Sequence, residues 1–189
     1  MSSQKKEVGV DMGLTEEDKT QLLKLCETAV RCKCKGLKPP VFKPMSEKLK
    51  EKCGAFVTIN KKGMLRGCIG WLNATKPLFE TVMEMAESAA FSDPRFRPIC
   101  EDELEFLDYE ISVLTPFHRI KDITEIQVGI HGILIRNGLS SGLLLPQVAT
   151  ERDWDRLTFL RETCRKAGVN MDAWKDPNTE IYIFSADVF

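Results

Sequence analysis

Residues 65–70 read Leu-Arg-Gly-Cys-Ile-Gly and are predicted to form a β-strand with an arginine and a cysteine two positions apart. Because side chains alternate between the faces of a strand, Arg66 and Cys68 are expected to share a face, with Cβ atoms about 6–7 Å apart. A guanidinium at that distance favours the thiolate, which predicts a pKa for Cys68 below the ~8.5 of a free cysteine. The chemistry indicated is that of a reactive thiol, or of an anion site built on Arg66.

A packing interpretation of the same strand stays open. Gly67 and Gly70 weaken a strand, but they leave space for a ligand or another part of the chain to approach closely. In this interpretation Cys68 is a packed residue at a tight strand crossing, and Arg66 forms an ion pair. Residue types alone are compatible with both interpretations.

Two other side chains are candidate partners for a reactive thiol. His131 lies between two glycines, so its ring is expected to be accessible and could act as a base. The alternative is a histidine at a strand end that hydrogen-bonds to backbone. Glu110 falls in a predicted strand that looks partly buried, where a carboxylate needs a partner, and Arg66 or Arg95 is the obvious one. Glu110 would orient the base.

Residues 92–98, Ser-Asp-Pro-Arg-Phe-Arg-Pro, predict a rigid loop because two prolines restrict its backbone. Asp93 and Arg95 are candidate binding residues, since an arginine fork suits carboxylate or phosphate ligands. An internal Asp93–Arg95 pair that pins the loop is the alternative. Gln147 is the last candidate, placed near a helix start whose amides could receive an anion, although capping is the commoner explanation.

The pattern of apolar residues predicts how these side chains are positioned. Helical spacing is found in three segments, and runs typical of strands or hairpins are found in four. Without a regular βαβ alternation, the expected class is α+β with an antiparallel or mixed sheet. The predicted helices are residues 15–34, 76–91 and 150–168, and the predicted strand regions are 54–72, 106–114, 131–145 and 180–188.

The turn at residues 60–63 sets the register of the first hairpin. A type I turn with a glycine bulge is predicted there, which places Thr58 opposite Arg66 and Phe56 opposite Cys68. A two-residue turn is the alternative, and it would place Ala55 opposite Cys68.

Charge and hydropathy exclude several classes of protein. The chain carries 27 Lys and Arg against 28 Asp and Glu, so it has no global attraction for nucleic acid. The basic run at residues 31–43 is interpreted as a helix end and a solvated loop. No apolar stretch approaches the ~20 residues of a membrane span. We therefore expect a soluble cytoplasmic protein with a disordered tail at residues 1–13 and one domain at residues 14–189.

Seven cysteines without a secretion signal argue against a disulfide framework, because their number is odd. No Cys-x-x-Cys pair is present, so a structural zinc site is not expected, and the sequence predicts no other metal or cofactor. Most of the cysteines are expected to be reduced core residues.

Six strings along the chain together resemble the AMMECR family, in order from about Leu14 to Phe189. The resemblance implies a two-lobed α+β domain with a smaller inserted lobe, and it implies that the strand at residues 65–70 faces a cleft. The six strings are LRGCIG, AAFSDPRFRP, EISVLTP, GIHGILI, GLLLPQVATERDWD and TCRKAG.

The resemblance also implies partners. Prokaryotic members resemble one component of a three-part system that includes a Memo-like protein and a radical S-adenosylmethionine protein. One hypothesis is then an enzyme or substrate-handling component that uses Cys68 on a small-molecule or peptide ligand. A second is a non-catalytic adaptor for these partners, with the glycines serving close packing. A third, the least supported by the charge balance, is a nucleic-acid-associated regulatory factor.

Overall fold

The computed structural model describes residues 9–189. Most of the predicted disordered tail, residues 1–8, lies outside the described residues. From Gly9 onward the backbone makes hydrogen bonds, the first of them from the Gly9 N–H to the Gly129 carbonyl at 2.8 Å.

The described chain has the predicted α+β class, with two antiparallel sheets of four strands each. Its helices are α1 (Glu16–Cys34), α2 (Leu78–Phe91), α3 (Pro146–Glu151) and α4 (Arg156–Lys166). Its strands are β1 (Ala55–Lys61), β2 (Met64–Trp71), β3 (Leu107–Leu114), β4 (His118–Ile120), β5 (Gly132–Asn137), β6 (Ser140–Leu144), β7 (Glu180–Phe184) and β8 (Ala186–Val188).

The chain divides into two compact units, in agreement with the two lobes implied by the resemblance. The first, called the motif unit here, comprises residues 13–114 and 188–189 and contains the Leu-Arg-Gly-Cys-Ile-Gly strand. The described part of the second unit comprises residues 9–12 and 115–187.

Helix α1 of the motif unit begins where the sequence predicts. The Thr15 hydroxyl accepts the Asp18 N–H, and the Asp18 carboxylate accepts the Thr15 N–H, which completes a capping box. Both α1 and α2 contact the strands of the sheet, which has the order β2-β1-β3-β8. Alternate residues of β1 are fully buried, so one face of this strand forms core.

The predicted turn of the first hairpin is wrong. Lys62 and Gly63 both have positive φ, 52° and 77°, so they form a two-residue turn of the kind that matches strand twist. The bulge lies in strand β2 and not in the turn. The register shifts between Ile59 and Asn60 of β1, which leaves Arg66 as the extra residue of β2. As a result, Thr58 and not Phe56 lies opposite Cys68.

The second unit is built on the sheet β4-β7-β5-β6, with α4 in contact with β5 and β6. Its core includes fully buried side chains from the helix and the central strands: Phe159, Leu160, Cys164, Ile133 and Ile135.

The single helix predicted for residues 150–168 is two helices. Pro146 occupies the first turn of α3, and Asp153 has a φ of 52°, which ends helical geometry between α3 and α4. Asp155 then caps α4 by accepting the Thr158 N–H at 2.7 Å. The cap of α4 therefore lies five residues after the start of the helix predicted at residue 150. No helix of residues 9–189 combines the length and the apolar character that a membrane crossing requires.

Candidate functional site

Strand β2 is the edge of its sheet, and at Cys68 an ion pair takes the position of a neighbouring strand. The Cys68 N–H donates to Asp93 Oδ2 at 2.9 Å, and Arg95 Nη2 donates to the Cys68 carbonyl at 3.2 Å. Asp93 and Arg95 are joined by two further bonds, at 2.6 and 2.9 Å. Both backbone polar groups of Cys68 are therefore held by one carboxylate–guanidinium pair, called the Asp93–Arg95 clamp here.

The loop after α2 builds this clamp locally. The Asp93 carboxylate accepts the N–H of Arg95, two residues on, at 3.1 Å, a turn typical of aspartate. The Asp93 side chain is only 1% exposed, and the Arg95 guanidinium, with the N–H groups of Cys68 and Arg95, lowers its pKa to about 2. The internal pair considered as an alternative from the sequence is thus present, and Asp93 is charged at neutral pH.

The thiol of Cys68 lies in a row of three side chains across the sheet. Thr58 of β1 is paired with Cys68 of β2 and with Glu110 of β3, so these three residues, the Cys68 row, share a face. The Thr58 hydroxyl donates to Cys68 Sγ at 3.3 Å. Because the backbone groups of Cys68 bond to the clamp, Cys68 and Thr58 form a non-hydrogen-bonded pair, in which side chains approach most closely.

Cys68 differs from the buried cysteines of the chain. It is partly exposed, whereas Cys26, Cys53 and Cys164 are buried, and burial raises the pKa of all three. The guanidinium of Arg95 lies beside this residue, with its Nη2 3.2 Å from the Cys68 carbonyl oxygen. The arrangement offers a partly exposed thiol whose backbone is held by the clamp and whose sulfur accepts a hydrogen bond from a hydroxyl.

Arg66 is not the guanidinium beside the Cys68 thiol. Its bulge breaks the two-residue alternation from which a shared face with Cys68 was predicted. Its guanidinium binds Glu103 with two bonds, at 3.0 and 2.9 Å. Arg66, and after it Lys61, lower the pKa of Glu103 to about 2. The ion pair expected in the packing interpretation is therefore the one formed, and Arg95 replaces Arg66 as the guanidinium beside Cys68.

The motif glycines allow close packing. A Cβ on Gly67 would lie 2.1 Å from the carbonyl oxygen of Ala89 in α2, so strand and helix touch backbone to backbone there. A Cβ on Gly70 would lie 2.2 Å from the ring of Phe56, its partner on β1. Both glycines have a structural role in the motif unit.

His131 and Gln147 belong to the second unit, whereas the other candidate residues lie in the motif unit. His131 Nδ1 accepts the Gln127 backbone N–H at 3.2 Å, and the backbone N–H of His131 donates to the Gln127 carbonyl at 2.8 Å. Burial lowers the pKa of His131, so its imidazole is neutral at neutral pH. Gln147 is the second residue of α3, and its carbonyl accepts the Thr150 hydroxyl at 2.8 Å.

Two residues of the site were not identified from the sequence. Thr58 is a partner of Cys68 only because of the bulge, and Glu103 is one acid in the run of residues 101–105. The alternation of β1, with Thr58 on the face opposite its buried residues, is the signal that could have indicated the first. The sequence does not indicate which acid of this run binds Arg66, because four of its five residues carry a carboxylate.

These features define a class of protein: an α+β chain with two antiparallel sheets and a cysteine on an edge strand capped by side chains. The model of the AMMECR1 family matches residues 23–189, and the chain belongs to this family.

Relatives from archaea show the same similarity along almost the whole chain. A Methanopyrus kandleri protein is 43% identical over 93% of this chain and 89% of its own length. A Methanothermobacter thermautotrophicus protein is 40% identical over 93% of this chain and 95% of its own length. The crystal structure of an uncharacterised protein from Pyrococcus horikoshii matches with a TM-score of 0.88 and 38% identity, covering 93% of this chain and 92% of that chain.

Proposed function

We propose that this chain is a cytoplasmic substrate-handling component whose reactive group is the thiol of Cys68. The observation that carries the proposal is the Asp93–Arg95 clamp, which holds both backbone polar groups of a partly exposed cysteine. Fixing the backbone limits the positions that the sulfur takes, and positioning of this kind is typical of groups that react.

The surroundings of the sulfur support a nucleophilic role. A hydroxyl that donates to sulfur, as Thr58 does, favours the charged form over the neutral one. The positive charge of Arg95 acts in the same direction, and the negative charge of Asp93, which pairs with Arg95, acts against it. Glu110, in the same row, is the proposed group that orients or accepts a proton, whereas His131 lies in the second unit and stays a prediction from the sequence.

The ligand proposed for this thiol is a small molecule or a peptide segment with an electrophilic centre. The proposed partners are a Memo-like protein and a radical S-adenosylmethionine protein, as the family resemblance implies. In this proposal the three proteins act on one pathway, and the chain presents or carries the substrate on Cys68.

The test is to produce the chain together with both proposed partners and to search for a covalent adduct by intact-mass spectrometry. The proposal expects a mass increase that maps to Cys68 and is missing from Cys68→Ser. Cys100→Ser is the matched control, since Cys100 is an exposed cysteine without a clamp, and this variant should keep the adduct. A chain that carries no adduct on Cys68 with both partners present would overturn the proposal.

A second candidate function is an adaptor, favoured by the packing of the motif. Gly67 and Gly70 make close contacts, and Arg66 is held by Glu103, so these three residues are accounted for without a reaction. An adaptor forms a complex with the partner proteins that survives Cys68→Ser, because no reaction at the thiol is required. A complex of that behaviour without an adduct would select the adaptor.

A further inference from the structure

The second unit contains a cavity of about 330 Å³, a size at which pockets hold small ligands. Two segments form its walls: the loop at residues 126–131, before β5, and residues 149–154, where α3 ends and the chain turns towards α4. The lining includes Val128, Gly129, Ile130, Ala149, Asp153 and Trp154.

Hydrogen bonds hold the loop of the first wall near both of its ends. The guanidinium of Arg156, in α4, donates through Nε to the Ile126 carbonyl at 2.8 Å. At the other end, the His131 imidazole accepts the backbone N–H of Gln127 at 3.2 Å. The loop therefore has a fixed shape that does not depend on a ligand.

The backbone of the second wall is also fixed. The Trp154 N–H donates to the Ala149 carbonyl at 2.9 Å, which closes the turn after α3. Asp153 has a φ of 52°, a conformation that few residue types other than glycine, asparagine and aspartate adopt. Because both walls are held by bonds within the chain, the cavity is preformed, and a ligand would not have to order it.

The lining offers apolar surface to a ligand. Val128 and Ile130 are large hydrophobic residues, yet they are 36% and 39% exposed. Ala149 is buried and Trp154 is partly buried, and both line the same cavity. An aliphatic group in the cavity would remove part of this surface from water, which is favourable.

The charge in the lining is negative. Among residues 9–189, the Asp153 carboxylate has no ion pair and no hydrogen bond. The adjacent indole also attracts cations, since the Arg152 guanidinium lies over the Trp154 ring, 5.2 Å from its centroid. A positively charged ligand would be attracted by both the carboxylate and the ring, whereas an anion would be repelled.

We propose that this cavity binds an alkylammonium group, a short aliphatic chain that ends in a protonated amine. The chain lies against Val128, Ile130 and the Trp154 ring, and the ammonium pairs with Asp153. A free amine and a lysine side chain of a peptide both carry this group. The inference is independent of a reaction at Cys68, which belongs to the motif unit.

The test adds n-butylammonium to the full chain at pH 7 and follows the indole N–H signals of the three tryptophans by NMR. The Trp154 signal, assigned with Trp154→Phe, should shift and reach saturation. The signal of Trp71, an exposed tryptophan of the motif unit, should stay unchanged. Pentanoate and 1-butanol carry the same aliphatic chain without a positive charge, and both should bind more weakly than butylammonium.

Two substitutions of opposite charge test the sign of the interaction. Asp153→Asn should weaken butylammonium binding by about fivefold, because asparagine also tolerates a positive φ and only the charge is lost. Arg152→Gln should strengthen binding by about twofold, because it removes a nearby positive charge. Glu151→Gln is the matched control, an exposed carboxylate of α3 outside the lining, and should change the affinity by less than about twofold.

Nα-acetyl-lysine methylamide distinguishes the two sources of the group. Tighter binding than that of butylammonium assigns the cavity to a lysine within a peptide, and weaker binding assigns it to a free amine. The NMR spectrum of each variant shows that it is folded. The proposal is overturned if butylammonium leaves the Trp154 signal unchanged, if pentanoate binds more tightly than butylammonium, or if folded Asp153→Asn binds butylammonium as well as the unsubstituted chain does.

Discussion

At Cys68, three kinds of contact are divided among three neighbours. The backbone groups bond to Asp93 and Arg95, and the sulfur accepts from Thr58. This arrangement separates the positioning of the residue from the chemistry of its side chain, so the two roles can be tested one at a time. Substitutions in the clamp should alter where the sulfur lies, and substitutions of Cys68 should alter only what it does.

The first prediction concerns the buried carboxylate of the clamp. Asp93→Asn should lower the free energy of unfolding by about 1–3 kcal/mol, because an amide cannot accept all of the bonds made by this buried carboxylate. Urea denaturation followed by circular dichroism measures the change. The control is Glu84→Gln, which breaks an exposed pair with Lys76 and should cost about 0.5 kcal/mol or less. Equal losses in both variants would contradict the role given to Asp93.

The sequence indicated part of this site because part of it is local. Asp93 and Arg95 are two residues apart between prolines, so their pairing could be anticipated as an alternative. The partnership of Cys68 with Thr58 depends on pairing between strands, and a shift of one residue changes which side chain lies opposite. Arg66 was misplaced for the same reason, since alternation fails at a bulge.

At the scale of elements, the contact between β2 and α2 limits the residue types that the motif tolerates. The helix backbone at Ala89 comes so close to the strand that Gly67 has no room for a Cβ. Because β2 packs closely against α2, Asp93 and Arg95 in the loop after α2 can bond to the backbone of Cys68. The glycine thus contributes to the site although it has no side chain.

The second prediction compares the two motif glycines. Gly67→Ala should destabilise the chain by about 3 kcal/mol, the upper part of the range for overpacking, because a backbone carbonyl cannot move aside. Gly70→Ala should cost about 1 kcal/mol, since its Cβ would meet the Phe56 ring, which can rotate. Thermal and urea unfolding of the two variants give the comparison. If Gly70→Ala proved the more damaging, the proposed contact between β2 and α2 would be wrong.

Helix ends were predictable where the signal lies within a few residues, and less so elsewhere. The first helix begins as predicted, where Thr15 and Asp18 make a capping box within one turn. The third predicted helix is instead two helices, since Asp153 has a positive φ and α4 begins anew at the Asp155 cap. Residue types do not give that φ, and so the break between α3 and α4 was missed.

At the scale of the whole molecule, the charge balance is close to neutral, and several basic side chains are held in ion pairs. Arg31 binds Glu105 and Glu27, and Lys33 binds Glu87. The basic run at the end of α1 therefore has acidic partners within the motif unit. This pairing gives no support to the nucleic-acid hypothesis, which requires cations that are available to phosphates.

The third prediction concerns stability in acid. Asp93 and Glu103 both have a pKa near 2, below their ordinary values of 3.8 and 4.5, so the folded state binds their protons less readily than the unfolded state. Their contribution is complete above about pH 5 and is lost as the pH falls towards 2. The free energy of unfolding should decline across this window. Glu103→Gln should reduce stability at pH 7 and flatten the decline, and a decline of unchanged slope would contradict the assignment.

The most direct test of the central claim is the rate at which Cys68 is alkylated by iodoacetamide, with all seven cysteines resolved by mass spectrometry. We predict that Cys68 reacts faster at pH 7 than the exposed Cys100. We also predict that Arg95→Gln slows Cys68 at pH 7 but has little effect at pH 10, where a thiol ionises without help. A Cys68 that reacts more slowly than Cys100, at a rate that Arg95→Gln leaves unchanged at pH 7, would contradict the account.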